Sequence, residues 1–244
     1  NRPGLRVPTQ GGLKMENTEE TTHRTLNHYA LVAFKDAYWA LTSPERANFQ
    51  QAWLAALRGC AQKLDIFQAT ETRIDLVIWS AVIADDKQDA AIFFEKFARA
   101  NAPYRHLVEI RDSLWGFTRP SQYSKARSKQ EIDPFAGERK AYLVIYPFSK
   151  TIEWYLMSRE ARQGMMNEHI RIGKQYDDIS QLLLYSFGMQ NQEFVVVYEM
   201  DELPRFSDLV NELRDTEARR YTFRDTPLHT AIYHPAEDTL ALWK

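Results

Sequence analysis

Two stretches of this 244-residue chain run through the same order of elements, β-α-β-β-α-β, with a polar stretch between them. Residues 28–39 alternate apolar and polar side chains, the period of a strand. Ser43-Pro44-Glu45 opens a helix, with Ser43 as N-cap and Pro44 at the first helical position. That helix is expected to reach about residue 62, with Phe49, Trp53, Ala56 and Leu57 on one face. Strands follow over 64–70 and 73–83, an amphipathic helix over 85–100, and a last strand over 107–117. The second stretch repeats the order, with a strand over 140–148, a helix over 158–173, and strands over 182–187 and 193–199. A helix over 203–214 carries Phe206, Leu209, Val210 and Leu213 at helical spacing. An extended segment over 221–233 closes the unit. This duplication predicts an α+β fold of two ferredoxin-like β-α-β-β-α-β modules joined into one α+β barrel, of the dimeric α+β barrel type.

The expected organisation is a flexible N-terminal arm (1–25), an N-terminal module (26–118), a linker (119–138) and a C-terminal module (139–244). The arm is polar and rich in Gly, Pro and Thr, and Met15 is a candidate native start. Pro120, Pro134 and Gly137 mark the linker. Hydrophobic residues make up 44% of the chain and aromatics 13%, enough for a sizeable core. A net charge of −2 with no long basic run gives no reason to expect nucleic acid. Cys60, the single cysteine, excludes an intrachain disulfide and any cysteine-built zinc or iron–sulfur site. It reads as a small buried or half-buried apolar residue. No apolar run has the length of a spanning helix and no signal peptide is visible, so no membrane partner and a reducing, cytoplasmic setting are expected.

Chemistry-bearing side chains collect between Tyr146 and His169. Tyr146-Pro-Phe-Ser-Lys150 offers a phenol and a cation, Trp154-Tyr155 an indole, and Met165-Met166-Asn167-Glu168-His169 an imidazole. Each residue alone has a bland reading: a core histidine, a structural Tyr-Pro, a solvated lysine, a core tryptophan. His23, His28, His106, His229 and His234 are scattered without an i, i+4 partner, so a histidine-built zinc site is not expected. A single histidine can still be the axial ligand of a haem, because the porphyrin supplies the other four nitrogens.

Tyr-Pro-Phe-Ser-Lys, Glu-Trp-Tyr, Met-Met-Asn-Glu-His, Ile-Gly-Lys, Tyr-Ser-Phe-Gly, Glu-Phe-Val-Val, Glu-Leu-Arg-Asp-Thr-Glu-Ala and Asp-Thr-Pro together resemble the chlorite dismutase-like haem protein family. The resemblance spans about residues 142–230; the first half fits in pattern only. It implies the duplicated ferredoxin-like fold, haem b or coproheme bound in the C-terminal module, and a homo-oligomer, usually a pentamer. It makes His169 the axial ligand of the iron and Glu217 the acid accepting the ligand's other N–H. Lys150 and Trp154 would lie beside the cofactor, Lys150 near a propionate, with Met166 also against the porphyrin. Tyr146 matches the tyrosine of the coproheme decarboxylases, which there forms the radical that attacks the propionate.

The family divides at one distal residue, arginine in chlorite dismutases and glutamine in the well-known bacterial decarboxylases. Anchored on Tyr185-Ser-Phe-Gly188, the matching position is Gln181; counted from His169 it is Leu182, because the loop over 176–180 is one residue short. Neither is a cation that could hold an anionic oxidant. The insert usual between the lysine and the Trp-Tyr is missing, and the ending Tyr221-Thr-Phe-Arg-Asp-Thr-Pro227 is closer to the chlorite dismutases. The expectation is a haem-dependent oxidoreductase of haem biosynthesis that decarboxylates coproheme to haem b with hydrogen peroxide. The alternatives are chlorite dismutation, with chlorite as substrate, and haem binding without either activity.

Overall fold

The computed structural model describes residues 23–123 and 128–244. Most of the expected arm, Met15 included, and residues 124–127 of the expected linker lie outside the described residues.

The first unit comprises β1 (Thr25–Phe34), α1 (Asp36–Trp39), α2 (Ser43–Arg58), β2 (Lys63–Ala69), β3 (Leu76–Ile83), α3 (Asp89–Asn101) and β4 (Val108–Phe117). The second comprises β5 (Tyr142–Lys150), α4 (Ile152–Leu156), α5 (Arg159–Gly173), β6 (Ser180–Tyr185), β7 (Phe194–Met200), α6 (Leu203–Arg214), β8 (Thr222–Arg224) and β9 (His229–Tyr233), followed by α7 (Ala236–Ala241). Strand order in the first unit is β4-β1-β3-β2, and in the second β6-β7-β5-β9, the same antiparallel arrangement. The two sheets meet edge to edge. β2 pairs with β9 through Phe67↔Tyr233, and β4 pairs with β6 through Phe117↔Tyr185. Because β7 also pairs with β5, the sheet closes into a ring, with β8 hanging on the end of β5.

Closure explains the burial of the strands. In β1, Leu26, Ala30 and Val32 face α2 and α3, while Tyr29 and Leu31 face the barrel interior. The interior is shared between the units, with Trp79 and Phe67 from one and Leu143, Ile145, Leu184, Val195 and Val197 from the other. Gly116 sits at the β4–β6 seam, where an added Cβ would stand 2.8 Å from the Tyr185 carbonyl oxygen and 2.7 Å from Ser186 Oγ. Only a residue without a side chain allows these strands to approach so closely.

Several local expectations are corrected. Tyr38 and Trp39 belong to α1 rather than to the first strand; Tyr38 folds back to stack on Phe34 at 4.0 Å. Buried packing overrides the alternation there. The cap of α2 is Thr42, not Ser43: the Glu45 carboxylate accepts from the Thr42 N–H at 2.7 Å, which moves Pro44 one place into the helix. The expected extended segment over 221–233 begins at the end of a 3-10 turn (Glu217–Tyr221) and is split into β8 and β9. α7 has too few residues for a periodic signal, and burial of Ala236 and Leu240 against the first unit holds it. Cys60 is buried, held at the end of α2 by its contact with the Ala56 carbonyl. Among the described residues, no helix is long and apolar enough to cross a membrane.

Residues 128–139 are woven into the barrel. Ile132 is part of the interior, and its N–H donates to the Gln181 carbonyl at 3.0 Å. Arg139 lies inside with Nε 2.9 Å from Asp65 and 3.6 Å from Glu199, its guanidinium stacked 4.2 Å from the Trp79 ring centre. Burial, with the Asp65 charge adding to it and Arg139 opposing, pushes Glu199 up to about 7 from 4.5. Its folded pKa exceeds its unfolded value, so its contribution is fully present below pH 4.5 and lost as pH rises through about 7. The Glu199→Gln variant is therefore expected to lose a decline in stability between those pH values that the parent shows, read by urea unfolding at a series of pH values. Gly116→Ala is expected to cost about 1–3 kcal/mol by the overpacking it forces at the seam, measured by thermal or urea unfolding.

Candidate functional site

The two halves differ in how their helices meet the sheet. In the first, α2 buries Phe49, Trp53, Leu54 and Leu57, and α3 buries Phe93 and Phe97. His28 fills in beneath Phe93 and Phe97, and burial pushes its imidazole down to about 3. In the second half α6 packs Phe206 and Leu209 on the sheet, but α5 buries only Ile172, near its C-terminal end. Met165, Met166, His169 and Ile170 are left half-covered.

β5 carries two of the expected site residues. Tyr146 and Lys150 are four positions apart, so the pleat sets them on one face. Tyr146 packs beside the α5–α6 core and meets the Tyr198 ring edge-on at 6.5 Å. Its phenol oxygen accepts from Arg214 Nη2 at 3.0 Å. The Lys150 ammonium donates to the Ala218 carbonyl at 3.2 Å and to Thr222 Oγ1 at 3.3 Å. It also stands 4.6 Å from the ring centre of Trp154, which is buried on α4. The Lys150 backbone N–H donates to Glu193 Oε2 at 2.8 Å, and the Tyr155 hydroxyl donates to the same carboxylate. Burial and the Arg219 cation push Lys150 down to about 8, with Glu193 opposing them.

α5 is capped by Ser158, whose hydroxyl accepts from the Ala161 N–H at 3.2 Å, and carries Met166 and His169 on the turns before Ile172, which packs with Val144 of β5. Burial first, then the Lys150 charge, pushes the His169 imidazole down to about 4, with Glu168 opposing. At neutral pH the ring is therefore uncharged and keeps a lone pair for a metal. No hydrogen bond joins Glu217 to His169. Its carboxylate is 3.4 Å from Arg220, and its backbone N–H donates to Glu168 Oε2 at 3.4 Å. Glu168, one position before His169, is the acid whose charge reaches the imidazole.

Gln181 is exposed on β6. Register places Gln181, Tyr198 and Val144 in one row, and Leu183, Val196 and Tyr146 in the next, all on the face below the helices. Leu182 turns into the barrel interior. Gln130 clamps the short loop before Gln181: its Nε2 donates to Gly173, Tyr176 and Ile179 carbonyls at 3.2, 2.7 and 3.0 Å. The Gln181 N–H then donates to the Gln130 carbonyl at 2.7 Å. Among the described residues, no group of three or more His, Cys, Asp or Glu side chains is placed to hold a metal ion by itself.

The chlorite dismutase family profile matches residues 20–233. The chain belongs to that family. A coproheme decarboxylase from Mycolicibacterium smegmatis is 31% identical over 171 residues, 68% of this chain and 70% of the relative. A second coproheme decarboxylase, from Staphylococcus saprophyticus, is 25% identical over 169 residues, 64% of this chain and 67% of that protein. Among solved structures, a mutant chlorite dismutase from Candidatus Nitrospira defluvii superposes with a TM-score of 0.76 at 20% identity, over 90% of this chain and 95% of that one. The chlorite dismutase of the same organism in complex with imidazole gives 0.72 at 19% identity, over 90% and 94%. At such identities the structural likeness speaks for the fold, which is the duplicated α+β barrel.

Sequence reasoning attached no role to Arg214, Arg219, Asp225 or Glu193, although Arg214, Asp225 and Glu193 stand inside motifs that carried the resemblance. Their signal was weak because each acts through a residue far away in sequence. In a Lys150→Met variant His169 is expected to titrate above 4, part of the way back to 6.5, because one of its two depressing causes is gone. Histidine NMR titration reads this; an unmoved midpoint would show that burial alone sets the value.

Proposed function

We propose that this protein binds coproheme, an iron porphyrin with four carboxylate arms, as substrate and decarboxylates two of them to give haem b, with hydrogen peroxide as oxidant. The observation that carries the reading is the placement of Tyr146 and Lys150 on one face of β5, below a helix that presents a neutral, half-covered His169. The residues fit such a ligand. Met165, Met166 and Ile170 offer apolar surface that α5 does not bury against the protein, and Lys150 supplies a cation for a carboxylate. His169 would hold the iron, with Trp154 and Met166 against the porphyrin, and the bound iron supplies the oxidising chemistry toward peroxide.

The chain's own groups then have distinct tasks. The Lys150 ammonium, fixed by Ala218 and Thr222, pairs with a propionate and holds it near β5. The Tyr146 phenol is the oxidisable group within reach of that arm, able to give up an electron with its proton. Each arm loses its carboxyl as CO2 and one hydrogen from the carbon attached to the porphyrin ring to become a vinyl group; the two electrons, that proton and the carboxyl proton reduce one peroxide to two waters. Gln181 lines the opposite side with a neutral amide. Chlorite dismutation is disfavoured because Gln181, Leu183 and Tyr185, the β6 residues on this face, carry no positive charge to hold an anionic oxidant. A cytoplasmic homo-oligomer, a pentamer by resemblance, completes the proposal.

Mixing the protein with coproheme and peroxide is expected to produce a porphyrin lighter by two carboxyl groups, read by mass spectrometry. Tyr146→Phe should abolish that product and leave coproheme binding within about twofold, since a phenyl ring keeps the packing and loses the redox group. Normal turnover in Tyr146→Phe would sink the assignment. His169→Ala should change the Soret band of the bound porphyrin, and an identical spectrum would exclude ligation.

A further inference from the structure

Asp225 follows β8 and lies between two arginines from different segments. Its Oδ2 is 3.2 Å from Arg214 Nη2, at the end of α6, and 3.1 Å from Arg219 Nη1, in the 3-10 turn. The Asp225 side chain is 14% exposed, against 41% for Arg214 and 31% for Arg219. Arg214 Nη2 makes a second contact, the 3.0 Å hydrogen bond to the Tyr146 phenol oxygen. Arg219 acts on Lys150 through its charge. One carboxylate therefore stands between the arginine that touches Tyr146 and the arginine that faces Lys150.

Without that carboxylate three cations, Lys150, Arg214 and Arg219, would crowd one corner of the site. An arginine as exposed as Arg214 would then swing into water, because a surface contact of its kind is worth little by itself. With the carboxylate in place, one guanidinium nitrogen is shared between Asp225 and the phenol oxygen. A guanidinium can only donate, so the phenol oxygen is the acceptor and its own hydrogen is left to point elsewhere.

We propose that Asp225 is a positioning residue for Tyr146: it pins Arg214 against the phenol oxygen and so leaves the phenol hydrogen free to face the substrate carboxylate. The inference rests on the reading of Tyr146 as the oxidisable group, but the arrangement itself is testable without it. Asp225 also explains why Arg214, Arg219 and the residues after β8 converge, since one anion must neutralise cations from two segments.

The test places 3-fluorotyrosine at position 146 of the full chain and reads its 19F resonance with no porphyrin added. Asp225→Asn and Asp225→Ala are expected to move the resonance as Arg214→Ala does, and the double variant Asp225→Ala, Arg214→Ala to move it no further. Asp225→Glu should bring it back toward the parent. An unmoved resonance in Asp225→Asn, alongside a moved one in Arg214→Ala, overturns the proposal. Asp225→Asn keeps the side-chain volume, so a folding failure of Asp225→Ala does not remove the test. With coproheme and peroxide, Asp225→Asn should lower kcat ~10-fold through misplacement of the reacting group and leave the coproheme Kd within about twofold. A weaker Kd with unchanged kcat would make Asp225 part of the binding surface instead, and would overturn the positioning role. If the parent chain does not decarboxylate coproheme, the functional reading fails, while the 19F result still decides whether Asp225 sets Tyr146.

Discussion

Barrel closure is the constraint on which the rest of this protein depends. Each unit has two open sheet edges and one bare sheet face. The seams β2–β9 and β4–β6 remove the edges, and the shared interior covers both faces at once. The seam at β4–β6 is narrow, and Gly116 leaves room for the close approach it needs. Arg139 then lies where both units contribute acids, Asp65 from β2 and Glu199 from β7, so a buried ion group also ties one half to the other. A buried pair of this kind is weak evidence for stability, since desolvation offsets its attraction, but removing one partner would strand a charge.

Closure leaves the outer faces to the helices, and there the two halves part. The first covers its sheet with its own aromatics, Phe49, Trp53, Phe93 and Phe97, and nothing flat could enter. The second has α5, which buries Ile172 alone and holds His169 and two methionines over β5. One topology thus yields one half whose helices bury large aromatics and one whose α5 stays half-covered. The linker contributes as well. Gln130 binds the loop after α5 and Ile132 the strand after it, so residues outside both units set where Gln181 stands.

Much of this was legible because its signals are local. Alternation marked most of β1, and Leu203-Pro204 with the apolar spacing of Phe206, Leu209, Val210 and Leu213 gave α6 its observed bounds. Elements were misjudged where distant packing decides. Tyr38 bends out of the first strand to lie on Phe34, and α7 exists because Ala236 and Leu240 have a core to enter. In the site, Tyr146, Lys150, Trp154 and His169 were nameable since they crowd one stretch of chain. Glu217, which the resemblance sets behind His169, has its carboxylate 3.4 Å from Arg220, and Glu168 is the acid whose charge acts on the imidazole.

By itself, the sequence determined the duplicated order of elements, the family, and the residue types available for chemistry between Tyr146 and His169. Those follow from periodicity and from motifs only a few residues long. Tertiary structure alone decided that Arg214 would touch Tyr146 from 68 positions away, that Asp225 would join it to Arg219, and that His169 would be uncharged beside Lys150. Hydrogen bonds and charges act over a few ångströms of space, and distance along the chain carries no record of which groups the closed barrel brings within that range.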